Sequence, residues 1–114
     1  MALLIVALFT GCYYNVEEEI YGNCDTSNVT YSQTITNILN NYACLNCHGN
    51  PTANGAPFSL NTYASLKAQV DAHRLFGAIN HEAGFAPMPQ GAPKMSQCDI
   101  NKVKAWIDAG APNN

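Results

Sequence analysis

Charge is scarce in this chain: only 11% of its 114 residues are Asp, Glu, Lys or Arg, five basic against eight acidic, for a formal net charge of −3. So few cations offer no basic stripe to a phosphate backbone, which excludes nucleic acid as a partner. Apart from Glu17-Glu18-Glu19, read as solvated charge, no cluster marks a docking face. No apolar run reaches the roughly 20 residues of a spanning helix; Met1 to Thr10 is about half that length. A second CxxC and any HxxxH are also missing, so a structural zinc centre finds too few ligands at compatible spacing. With 47% apolar residues the chain is not disordered, and its length allows one domain at most.

What is present is Cys44-Leu45-Asn46-Cys47-His48. CxxCH is the attachment signature of c-type haem. Two thiols three positions apart on a helical turn reach the two vinyl groups of one porphyrin edge, and the next residue, His48, is carried under the iron as proximal ligand. A thioredoxin-like CxxC needs a βαβ setting, whereas the flanking residues read as helix and then polar loop. One covalent haem c is therefore the expected cofactor. A core this small is marginal alone, and a buried porphyrin would give the helices an apolar centre.

The five cysteines leave three after Cys44 and Cys47. Cys12 follows a short apolar run ending Phe9-Thr10-Gly11, the shape of a signal peptide running into a small residue and a Cys. This resembles a bacterial lipoprotein signal, which implies removal of residues 1–11 and a lipid on the Cys12 sulfur. No Lys or Arg precedes the run, and Phe9 stands where Leu is usual; an ordinary secretory signal is the alternative. Either reading places the protein on the periplasmic side of a bacterial membrane, lipid-anchored or soluble. Cys24 and Cys98 then form an even pair in a compartment where disulfides persist, with free buried thiols as the alternative. Residues 12–30, acidic and then rich in Asn, Ser and Thr, read as the anchor site and tether; 31–114 form the domain.

Three helices are expected. Ile35, Ile38, Leu39 and Tyr42 recur on one face of a helix over about Ser32 to Tyr42 that delivers Cys44. Gly49 to Asn61 must be a loop, and one of its carbonyls, near Pro57, should hold the other imidazole N–H of His48. Asn61 can cap a second helix through Arg74, with Tyr63, Leu66 and Val70 inward and His73 solvated at its end. Ser96 caps the last helix, with Asp99 in its first turn, Ile100, Val103 and Ile107 as its stripe, Trp106 beside them, and Gly110 and Pro112 as its stop. Lys102 and Lys104 read as solvated.

Between the second and last helices, Ala78 to Gly91 is interrupted by Gly and Pro around Met88, and it cannot be a regular helix. An extended loop there can lay a thioether across the second haem face, and a Met opposite His raises the reduction potential.

CxxCH, a loop, Met88-Pro89-Gln90-Gly91 and a terminal amphipathic helix together resemble a class I mono-haem cytochrome c, over about residues 31–114. The ending, Lys94 to Ile100 and Trp106 to Pro112, is similar to small haem-binding lipoproteins of Bacteroidota-like bacteria. The resemblance implies an all-α fold wrapped around one covalent haem, with Met88 as the distal ligand; Met95 and His81 are the alternatives. With His and Met both on iron no site is open to substrate, so the expected function is electron transfer rather than catalysis. Tyr42, Phe85 and Trp106 are expected to pack on the porphyrin. The expected partners are a redox donor and acceptor, a respiratory membrane complex among them, and the membrane itself through the lipid. A five-coordinate sensor or peroxidase-like enzyme, and a haem-bearing accessory module, are the competing readings.

Overall fold

A computed structural model describes residues 23–114; Cys12, the apolar run before it and Glu17-Glu18-Glu19 lie outside the described residues. The first helical element is placed by its apolar positions: Ile35, Ile38 and Leu39 are buried on one face. It starts as a wide π-helical turn, Tyr31–Ile35, and continues without a break as α1, Thr36–Asn41. The periodicity predicts the helix but not the wide turn, in which the Ile35 N–H reaches back to the Thr30 carbonyl at 3.0 Å. No side chain caps its start. Instead the Tyr31 N–H donates to the side-chain oxygen of Asn114 at 2.9 Å and the Ser32 N–H to its backbone carbonyl at 2.8 Å. Donors that every helix start leaves orphaned are thus satisfied from the far end of the chain.

After α1 the single turn α2, Cys44–Cys47, leads into a loop, and α3 runs over Tyr63–Asp71. The cap of α3 is Thr62, not Asn61. The Thr62 side chain accepts from the Ser65 N–H at 3.1 Å and the Ser65 hydroxyl accepts from the Thr62 N–H at 3.2 Å, so both orphan donors are met reciprocally. The helix expected through Arg74 is interrupted, because His73 is left-handed (φ 58°) and a new helix, α4, occupies Arg74–Ile79. α5 spans Gln97–Asp108, with the Ser96 side chain accepting from the Asp99 N–H at 3.1 Å, and Gly110 (φ 94°) ends it in the left-handed region that glycine enters freely. Its buried stripe is Ile100, Val103 and Trp106; Ile107, expected there, is only half-buried. Lys102 and Lys104, read as solvated, pair locally with Asp99 and Asp108 at 3.7 and 2.6 Å.

One core collects Ile35, Ile38 and Leu39, Leu60 from the loop, Leu66, Ile79, Met95 and the α5 stripe. Burial of a large side chain such as Ile35, Leu66, Ile100 or Trp106 contributes about 1.5–3 kcal/mol each. Trp106 stacks on Tyr31 (centroids 6.1 Å apart, 24° between planes) and donates from Nε1 to the Pro112 carbonyl at 3.0 Å. A disulfide joins Cys24 to Cys98 with Cα atoms 5.6 Å apart. Residues 23–30, expected as the end of a tether, therefore lie on the body, and Val29 packs against the core. The described residues are all-α, without a strand, and none of their helices is long and apolar enough to cross a membrane.

Candidate functional site

The CxxCH turn follows directly on the end of α1, which is tied to the start of α5. The Tyr42 hydroxyl donates to Asp99 at 2.8 Å and accepts from the Ser96 N–H at 3.1 Å, so one side chain links the first helix to the cap of the last. Ala43 then enters the left-handed region (φ 54°), costly for a residue with a Cβ, and turns the chain into α2. Cys44 and Cys47 are both half-buried and both free thiols. Burial pushes the Cys44 thiol up, which keeps it protonated at neutral pH.

His48 is the buried polar side chain of the described residues, 8% exposed. Its Nδ1 lies 2.9 Å from the Phe58 carbonyl. A carbonyl can only accept, so Nδ1 carries the hydrogen and the lone pair of the neutral ring sits on Nε2. Among the described residues Nε2 has no hydrogen-bond partner. The Phe58 ring stacks on the imidazole with centroids 4.9 Å apart. Backbone bonds close the cradle, Ala53 N–H to the Cys47 carbonyl at 2.8 Å and Leu60 N–H to that of His48 at 2.7 Å. Gly49 is required by close approach, since a Cβ there would fall 2.6 Å from the Leu45 carbonyl oxygen. The accepting carbonyl was expected near Pro57 and belongs to the next residue.

Met88 is half-buried against the core, and its backbone is held at both ends. Its N–H donates to the Ala78 carbonyl at 3.1 Å; its own carbonyl accepts from His81 Nε2 at 3.0 Å. Three contacts fasten the loop to α4 and to the His73 turn before it. Phe85 packs on Gly77, where a Cβ would meet the ring at 2.6 Å. The Glu82 N–H donates to the Gly77 carbonyl at 2.9 Å. The Glu82 carboxylate takes His73 Nε2 at 2.9 Å, and this hydrogen bond, followed by that from Asn80, holds its carboxyl below the ordinary value.

The other expected ligands are engaged elsewhere. Met95 is buried in the core (5% exposed), and His81 spends its Nε2 on the Met88 carbonyl. Tyr42, Phe85 and Trp106, expected against a porphyrin, have the protein partners given above. Phe58, Gly77 and the His73–Glu82 pair were not foreseen; a carbonyl acceptor and a helical glycine carry no motif that would mark them. Gln69 Oε1, on α3, is buried without a hydrogen bond, again unmarked by its neighbours.

Among the described residues no three His, Cys, Asp or Glu side chains gather to hold a bare metal ion, as a structural zinc would require. A c-type haem asks for a different donor set: two reduced thiols on one turn, an anchored imidazole with a bare ring nitrogen, and a thioether. Cys44, Cys47, His48 and Met88 have those chemistries, so the residues fit the group. No protein family, curated protein or solved structure matches the chain.

Proposed function

We propose that the protein is an electron-transfer cytochrome c carrying one haem c, attached through Cys44 and Cys47, with His48 as proximal and Met88 as distal ligand. The observation that carries this reading is His48: a buried imidazole directly after a CxxC turn, anchored at Nδ1 by the Phe58 carbonyl, with Nε2 left bare. An anchored second nitrogen is how proteins orient a metal-binding imidazole and raise its basicity. Haem held by these residues would supply reversible one-electron chemistry. The chain's own residues do the rest: the thiols fix the group, the Phe58 carbonyl sets the plane of the His48 ring, and the Met88 thioether favours the reduced state. The partners are a redox donor and acceptor, a respiratory membrane complex being one candidate class. Lipidation at Cys12, on the periplasmic side of a bacterial membrane, would hold the carrier near them.

A five-coordinate sensor or peroxidase-like enzyme with His81 distal is less well supported, because His81 Nε2 is already committed to a carbonyl. The test is the visible spectrum of protein made with c-type maturation machinery. The ferric wild type should show the weak far-red band of Met sulfur on iron, Met88→Ala should lose it, and Met95→Ala should keep it. A wild type without the band, whose reduced form takes up carbon monoxide readily, would sink the carrier reading.

A further inference from the structure

We infer that His81 is the positioning residue for Met88, closing the 81–88 loop at its neck and thereby setting how firmly the Met88 sulfur is presented; the inference rests on the ligand assignment just proposed. The Ala78 carbonyl, at the end of α4, accepts from both the His81 N–H (3.2 Å) and the Met88 N–H (3.1 Å). The two ends of the loop thus meet on one oxygen. The His81 side chain adds a third tie, from Nε2–H to the Met88 carbonyl at 3.0 Å. Since that carbonyl is an acceptor only, the ring must carry its hydrogen on Nε2, which removes the neutral ring's lone pair from that nitrogen.

Apart from its N–H on the Ala78 carbonyl, the Met88 backbone has this one hydrogen bond from a side chain. Its side chain is unbranched and adaptable, so the sulfur is located by the backbone that carries it. Pro87 and Pro89 on either side bring no N–H of their own, which leaves the Met88 N–H as the donor between them, while the Pro89 carbonyl is taken by the Ala92 N–H at 3.3 Å. His81 itself is held in the left-handed region (φ 55°), which aims its ring back across the loop. Its neighbour Glu82 is fixed to His73 and to the Gly77 N-terminal side of the neck, so the base from which His81 reaches is anchored to α4.

The experiment compares His81→Gln with His81→Asn in the full-length holoprotein. Gln places an amide N–H at about the reach of Nε2; Asn is too short, yet it tolerates the left-handed backbone at least as well. Added imidazole competes with Met88 for the ferric iron, and loss of the far-red band reports the competition. His81→Asn should bind imidazole about five- to tenfold more tightly than wild type, the factor expected for one hydrogen bond, while His81→Gln stays close to wild type. The midpoint of thermal unfolding should be alike for the two variants, which separates positioning from general stability. Equal imidazole affinity for wild type and His81→Asn, with the band present in both, overturns the inference alone. A wild type that lacks the band overturns the ligand assignment and the inference with it.

Discussion

His48 is gripped by its side chain, whereas Met88 is gripped by its backbone. In the first region the ring itself is buried, stacked by Phe58 and hydrogen-bonded at Nδ1, and the turn that carries it is joined through Tyr42 to the start of α5, beside the Cys24–Cys98 disulfide. In the second, hydrogen bonds fix only the N–H and carbonyl of Met88, whose side chain is half-buried against the core, and one of the contacts that fasten the loop, the His73–Glu82 pair, sits at the surface with His73 60% exposed. On the proposed assignment, a ligand held at its ring is lost when the core opens. One held through a loop can be lost by local opening while the core stays intact.

That contrast predicts that global stability and ligand retention respond to different substitutions. The largest expected effect is on the first region: replacing both Cys24 and Cys98 by Ser should lower unfolding stability by about 4 kcal/mol in the chain-entropy account, measured by denaturant titration. The far-red band of the folded variant should be unchanged; its loss would break the distinction. Gly77→Ala should do the reverse. Its Cβ meets the Phe85 ring at 2.6 Å, so the ring must move, at a cost of about 1–3 kcal/mol partly offset by the better helix propensity of Ala. Carbon monoxide should then bind the reduced protein more readily than wild type, and an unchanged uptake rate would mean that the loop does not depend on Phe85.

The smallest effect is electrostatic. Glu82 is held below its ordinary value of 4.5, first by His73 and then by Asn80, so its carboxyl takes up a proton less readily folded than unfolded. The resulting stabilisation is complete above about pH 4.5 and is lost as pH falls through the lowered folded value. Wild type should therefore exceed Glu82→Gln in thermal midpoint near neutrality, and the gap should close on acidification below that range. A gap that stays constant with pH would show that the pair contributes nothing to fastening the loop.

The two regions were also unequally legible. CxxCH is contiguous and each of its residues has one chemical use, so Cys44, Cys47 and His48 stand out without any fold. The last helix was readable because Ser96, Asp99 and Gly110 mark its ends locally. Its inner face was misjudged by one position: the helix turns Trp106 inward, where it finds both Tyr31 to stack on and the Pro112 carbonyl for its N–H. The break at His73 was illegible because neither Gly nor Pro announces it. Met88 could be singled out from the prolines around it. Its support could not, since a histidine reaching a backbone carbonyl seven residues on follows no periodicity.

The first helix has no cap of its own and borrows Asn114 to satisfy the N–H groups of Tyr31 and Ser32. Its opening turn therefore depends on a residue 83 positions away, and without Asn114 the Tyr31 and Ser32 N–H groups would lose these partners. The start of the segment that leads into Cys44 is thus pinned by a contact remote in sequence, so it is completed together with the tertiary structure rather than ahead of it.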